Sequence, residues 1–239
     1  MNDIGHRILN ETNLLTDDKP HFFKQLLKNP SELLTWDDVE KCMNSPALYN
    51  FEMIDQYNNK IEIPQAKKAW TWDRLVQDKA FMFEQLHKGA GLVIMNYGCY
   101  SEKTNHLLRI FETMFQVNAA IHVYGGLQGS KSFGIHDDYP CNFIIQVEGT
   151  TKWKVYNNRI SYLYKTGMMN GRLKDEDLEL AIEVELQPGD ALYIPSRMYH
   201  KAMPDGKRLS MSIPCWNKFA TDPIDNQADR NYYRINHDI

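Results

Sequence analysis

SFGIHDDYPCNFIIQVEGTTKWKVY, residues 132–156, and LQPGDALYIPSRMYH, residues 186–200, decide how this chain folds. The first predicts strands over 132–138, 141–148 and 151–156. In the second, the Pro188-Gly189 turn launches a short apolar strand over 190–194, and Pro195 stops it. Further strands are predicted over 179–186, 198–203 and 208–214. Many short strands separated by Gly/Pro turns indicate a double-sheet barrel or jelly roll. Helical patterns precede the strands instead of alternating with them, which argues against a parallel α/β sheet. The fold class is mainly β with flanking helices.

Working outward, residues 1–20 are polar and read as a loose arm. HFFKQLLK, after Pro20, carries Phe22, Phe23, Leu26 and Leu27 at helical spacing and predicts a helix ended by Asn29-Pro30. Thr35 precedes WDDVEKCM, where Thr-x-x-Asp offers a capping box, and Ser45-Pro46 breaks that helix. Leu48, Phe51, Met53, Ile61 and Ile63 flank Tyr57-Asn58-Asn59-Lys60 as in a hairpin. A helix is predicted from Thr71-Trp72-Asp73 to about Lys88, then a buried strand over 91–96. Ser101 caps an amphipathic helix with Leu107, Leu108, Phe111, Met114 and Phe115 inward. From Val117 onward the period becomes two: Ala119, Ile121 and Val123 alternate with Ala120, His122 and Tyr124. The expected organisation is one domain, with an N-terminal helical region over 1–90 packed on a barrel over 91–216 and a tail over 217–239. Residues 157–179 form an excursion that reads either as a lid or as a surface loop.

The chemistry gathers at three residues. Side chains two apart on a strand share a face, so His136 and Asp138 converge if 132–138 is extended. Eight histidines and 31 acidic residues among 239 make about one His-x-Asp/Glu pair expected by chance, so the triplet alone has little weight. His200, just after the second strand stop, completes a set of two imidazoles and one carboxylate. That is the facial triad of non-haem iron oxygenases, which leaves about three coordination positions open. The alternative is a barrel core whose polar residues satisfy one another. His6, His21, His87, His106 and His237 lack partners in the sequence and receive no role.

Composition excludes several classes. The chain is 43% hydrophobic and 12% aromatic, as in globular proteins, and its net charge of −4 gives no nucleic-acid footprint. Cys42, Cys99, Cys141 and Cys215 are scattered, with no C-x-x-C pair, so neither a disulfide framework nor a thiolate zinc site is expected. No secretory signal opens the chain and no stretch approaches the roughly 20 apolar residues of a membrane helix. A cytoplasmic protein with no membrane partner is the expectation. The sequence carries no signal for an oligomeric state.

With strands and triad in place, residues 90–216 resemble the JmjC-type cupins, iron(II)/2-oxoglutarate oxygenases built on a double-stranded β-helix. Gly189, Pro195 and His200 follow the second cupin signature, with Arg197 where many cupins have glycine. The series His136-Asp137-Asp138, Asn142-Phe143 and Gln146-Val147-Glu148-Gly149 resembles the branch containing asparaginyl and ribosomal-protein hydroxylases. Protein hydroxylases of this family usually place a lysine or arginine two residues after the glycine matching Gly149, to bind the distal carboxylate of 2-oxoglutarate. Here that residue is Thr151, and Lys152 should face the other way by alternation.

A dianionic cosubstrate in a buried pocket needs a cation, and a guanidinium suits a carboxylate best. Arg208, with Ser210 two residues on, resembles the clamp of other 2-oxoglutarate oxygenase branches; the alternative is that it ends the PDGKR turn in solvent. Asn142 matches a residue that lies near the cosubstrate, and Tyr124 and Thr151 are candidate hydroxyl donors to it. Trp153, Tyr193 and Tyr199 read as core or pocket wall. The resemblance implies hydroxylation of an unactivated C–H bond in a protein or peptide side chain. The same chemistry on a free amino acid, small metabolite or tRNA nucleoside stays open. So does a metal-binding cupin without 2-oxoglutarate, either an isomerase or a non-catalytic binding protein. Histone demethylation is not expected, because the chain has no recognisable reader module.

Overall fold

The computed structural model describes residues 2–11, 19–57, 59–67, 75–99, 101–114, 117–127, 129–159 and 173–217. In chain order it runs α1 (Asn2–Glu11), β1 (His21–Phe23), α2 (Trp36–Asn44), β2 (Asn50–Ile54), β3 (Lys60–Ile61), β4 (Gln65–Lys67), β5 (Leu75–Gln77), α3 (Lys79–His87), β6 (Gly91–Met95), α4 (Glu102–Met114), β7 (Val117–Ala119), β8 (His122–Gly126), β9 (Cys141–Arg159), β10 (Leu180–Leu186), β11 (Ala191–Ile194) and β12 (Met198–Asn217). Antiparallel pairing links β1-β11-β9-β12-β8-β6-β2-β3, with β10 added to β9 and β7 to β12. Strands β9 and β12, of 19 and 20 residues, are the spine, and each serves more than one neighbour. The architecture is mainly β with flanking helices, as strand spacing predicts. Among the described residues no helix is long and apolar enough to cross a membrane.

The two faces of this spine have different jobs. Phe143, Ile145 and Val147 of β9, with Leu209, Met211 and Ile213 of β12, pack into the large core shared with α2, α3 and α4. The alternate residue Ile144 joins Trp153, Val155, Leu192, Ile194 and Ala202 in a second, inner core. The inward parity of β9 is even before Gly149 and odd after it. Gly149 makes that change possible: its φ is +68°, and a Cβ there would lie 2.1 Å from the carbonyl oxygen of Lys207. The register of β9 against β12 shifts at the same place, between Asp205 and Ser210.

Several sequence expectations change. The segment after Pro20 is a strand, not a helix: His21–Phe23 pairs with β11, Phe23 is fully buried, and Gln25 turns the chain at φ +50°. Its amide donates to the buried carboxylate of Asp190, and the Leu27 amide donates to the Gly189 carbonyl. Long-range partners thus satisfy a backbone that local spacing assigned to a helix. Residues 2–11 form an amphipathic helix with Ile4 and Ile8 buried, in place of a loose arm. The helix expected from Thr71 starts at Lys79 with Asp78 as its N-cap, after the short strand β5. Its first residues, 71–74, lie outside the described residues, as do Phe115, residues 160–172 of the excursion and 218–239 of the tail. Strands expected separately at 141–148 and 151–156 are one element, as are 198–203 and 208–214.

The strand expected over 132–138 is not formed; the segment makes a single bridge, His136 to His200. Other readings match: the Thr35–Asp38 capping box closes in both directions, and β2 pairs with β3 across the hairpin.

Candidate metal and cosubstrate site

The bridge between His136 and His200 builds the centre. The amide of His136 donates to the carbonyl of His200 at 3.1 Å, and the reverse bond is 2.8 Å. This closely spaced pair lays the two imidazoles together, ring centroids 4.3 Å apart. Asp138 follows two residues later, and its ligand oxygen and one nitrogen from each histidine lie within 4.8 Å of one another. The convergence thus comes from one backbone bridge, and not from strand alternation.

Each histidine is oriented from behind. Nδ1 of His136 is 2.8 Å from the carbonyl oxygen of Gly134, and Nδ1 of His200 is 2.8 Å from that of Met198. A carbonyl only accepts, so both Nδ1 atoms carry a proton and Nε2 is the ligating atom of each ring, that of His200 once it gives up the proton it shares with Asp138. Nε2 of His200 is 3.5 Å from Oδ2 of Asp138. The same oxygen accepts from Nδ2 of Asn142 at 2.6 Å, and Oδ1 of Asn142 accepts from the Ser212 hydroxyl at 3.1 Å.

Electrostatics favour a cation here. Burial, with His200 beside it, pushes the pKa of His136 down to about 4, so its imidazole is neutral at pH 7. Burial opposes ionisation of Asp138, but the hydrogen bond and charge of His200 outweigh it and hold the carboxyl at about 2. Burial also opposes charge on His200, yet the Asp138 carboxylate raises its pKa above the ordinary value. Two imidazole nitrogens and a carboxylate oxygen, oriented by second partners and open on one side, fit a six-coordinate divalent metal such as iron(II).

Arg208, Ser210 and Tyr124 line the same cavity as the three candidate ligands, with Phe133, Ile144 and Trp153 as its apolar wall. Arg208 is 3% exposed. Its Nη1 reaches the Ser210 hydroxyl at 3.5 Å, while its Nε is buried without a hydrogen-bond partner. Burial lowers its pKa to about 10, so it stays cationic at neutral pH. Among the described residues no carboxylate pairs with it. Gln146 donates through Nε2 to the carbonyls of Glu148 and Gly149, so its Oε1 accepts from Ser210 at 3.0 Å and turns the Ser210 lone pairs toward Arg208. Burial raises the Tyr124 phenol, which therefore remains a neutral donor. A buried guanidinium with an unpartnered Nε and, among the described residues, no carboxylate is, beside a hydroxyl and a phenol, a fitting receptor for a carboxylate.

Two expected residues stand elsewhere. Asn142 reaches Asp138 and does not line the cavity; it positions a candidate ligand. Thr151 is fully buried with an unpartnered hydroxyl, but it too is absent from the cavity wall. Lys152 is exposed and lies 3.9 Å from Glu185, on the outward face that alternation assigned to it. His122 accepts from the Asn96 amide at 3.0 Å and stays outside the triad. Sequence reasoning missed the supporting roles of Gln146 and Ser212. It also missed the buried pair of Arg197 and Asp137, Nε to Oδ2 at 3.0 Å. The Arg197 guanidinium stacks 4.1 Å above Tyr139, and its amide donates to the Asp138 carbonyl. The signal was there: Arg197 occupies a usual glycine position and has φ +65°.

Comparison with known proteins agrees with this geometry. Chicken ribosomal oxygenase 1 is 28% identical over 142 residues, 58% of this chain and 24% of that protein. The bifunctional lysine-specific demethylase and histidyl-hydroxylase NO66 of Drosophila mojavensis is 30% identical over 200 residues, 82% of this chain and 21% of that one. The chain spans about a quarter of the length of these relatives. The Escherichia coli ribosomal oxygenase YcfD superposes with a TM-score of 0.60 at 18% identity, over 88% of this chain and 52% of that one, so the fold is shared. The JmjC domain profile matches residues 99–222, which hold both histidines, Asp138 and Arg208, and the chain belongs to the JmjC domain family.

Proposed function

We propose that this protein is an iron(II)- and 2-oxoglutarate-dependent dioxygenase that hydroxylates an unactivated C–H bond in a protein or peptide side chain. His136, Asp138 and His200 hold the metal. Arg208, supported by Ser210 and Tyr124, takes the distal carboxylate of the cosubstrate, and Asn142 and Gln146 position these groups from behind. Iron(II), 2-oxoglutarate and O2 together supply the oxidising chemistry, in which one oxygen atom enters the substrate and the other enters succinate as CO2 is released. The chain itself fixes ligand orientation, clamps the cosubstrate and lines the reaction space with Phe133, Ile144 and Trp153, which exclude water.

The observation that carries this reading is Arg208. A cupin without cosubstrate expects this residue in solvent, whereas it is buried and cationic in the cavity of the triad and, among the described residues, pairs with no carboxylate. Protein substrates accord with the names of the relatives, a ribosomal oxygenase and a histidyl-hydroxylase. Cys42, Cys99, Cys141 and Cys215 are thiols and not disulfides, which accords with the cytoplasm.

An anaerobic iron(II) titration with and without 2-oxoglutarate tests the proposal. A visible charge-transfer band that needs both, vanishes in His136→Ala and weakens in Arg208→Ala is expected. Iron binding without any band would instead favour a cosubstrate-free cupin.

A further inference from the structure

Beside the reaction cavity runs an open groove of about 550 Å³, and the two share Ser132, Phe133 and Ala202. One wall is the chain leading into His136, residues 131–135; the other is the edge of β12 just after His200, residues 201–204. The walls meet at the His136–His200 bridge and diverge from it. His200 turns its amide and carbonyl away from β9 toward His136. From His200 to Asp205 the register with β9 is unbroken, so the amide and carbonyl of Ala202, two residues on, face the groove as well. Among the described residues they have no backbone partner there. Pro204 has no amide to offer, which keeps this short edge from pairing indiscriminately.

The groove is also charged. Lys131, Lys174 and Lys201 line it, against one acid, Asp175. Asp175 is already met by Lys201 at 2.7 Å, by Lys154 at 3.4 Å and by the Tyr156 hydroxyl at 2.8 Å. Lys174 is 3.3 Å from Glu176. Lys131 has no ion-pair partner among the described residues and is exposed.

We infer that this groove binds the substrate protein as an extended segment added to the β12 edge at Ala202, with an acidic side chain paired to Lys131. Main-chain bonds of this kind give affinity regardless of sequence, and the side-chain contacts give selection. Lys131 is five residues from His136, and five residues span at most about 17 Å. The acidic residue therefore lies within about five positions of the modified one. The inference rests on reading the site as an oxygenase of protein side chains and adds the class of sequence it accepts.

The test is selection from a randomised 12-residue peptide library on full-length protein loaded with iron(II) and 2-oxoglutarate under anaerobic conditions. Enrichment of Asp or Glu at a position near a common acceptor residue is expected, with such peptides binding about two- to fivefold more tightly than their Lys counterparts. In Lys131→Glu the preference should invert to Lys or Arg, an outcome that loss of folding cannot imitate. No charge preference, or a basic preference in the unaltered protein, overturns the inference. So does a single-stranded 12-nucleotide probe that binds more tightly than the acidic peptides. The charge-transfer band of the same preparation reports on the metal and cosubstrate site separately. A band without acidic selection removes this inference alone, and absence of the band removes the oxygenase reading beneath it.

Discussion

The side-chain amide of Asn142 donates to Oδ2 of Asp138 across 2.6 Å, the oxygen that also faces His200 Nε2 at 3.5 Å. Asn142 is therefore a positioning residue for a candidate metal ligand. In Asn142→Ala the carboxylate loses the partner that fixes its rotamer. Metal affinity should fall about 10- to 100-fold, as is typical when a ligand's supporting hydrogen bond is removed. Titration with iron(II) or cobalt(II) measures this. Unchanged affinity would show that Asp138 is held by other means.

Arg208 separates stability from function. Its buried charge pairs with no carboxylate among the described residues, so Arg208→Met should leave the midpoint of urea unfolding unchanged or higher in the absence of cosubstrate. The unaltered protein should gain about 2.7 kcal/mol when 2-oxoglutarate is present at 100 times its Kd, and the variant should gain none. A large loss of stability without cosubstrate would mean that Arg208 is a structural residue instead.

Arg197 combines a left-handed backbone with a buried ion pair to Asp137. Removing one member of such a pair leaves the other charge buried, so Arg197→Ala should cost about 3–5 kcal/mol. Arg197→Gly loses the same pair but relieves the positive φ, and should be about 1 kcal/mol less damaging. Chemical denaturation of both variants checks the order as well as the size.

Asp175 ties the chain before β10 to Lys201, Lys154 and Tyr156. Its hydrogen bond to Lys201, ahead of the opposing effect of burial, holds its carboxyl below the usual carboxylate range. A depressed pKa adds stability that is fully present above the unfolded value near 3.9 and is lost as pH falls through the folded one. Protection of the Leu178 and Glu179 amides, exchange measured relative to the intrinsic rate at each pH, should thus fall on acidification below about pH 4. Asp175→Asn should exchange faster at neutral pH and lose that acid dependence. Because the Asp175 side chain is 40% exposed, the effect is local and weakens in high salt.

Much of this was legible in the sequence, and the reason is local. The alternation of Ile121 and Val123, the Thr35–Asp38 box and the Pro188-Gly189 turn depend on neighbours within a few positions, so periodicity and turn chemistry read them directly. The strands of residues 141–156 and 186–200 carry their own hydrophobic pattern, and the spacing of His136, Asp138 and His200 marked the candidate ligands. Tertiary structure decided the rest. Whether HFF is helix or strand rests on β11, some 170 residues away, which supplies its backbone partners. The meeting of His136 with His200 rests on one bridge between distant segments, where alternation supplied the right pair for a different reason. Whether Arg208 clamps a ligand or ends a turn in solvent depended on burial, which no local pattern encodes. Asn142 meets Asp138, four residues before it, in a segment that forms no regular strand and is held by the Arg197 amide on the Asp138 carbonyl, a long-range contact that spacing does not encode.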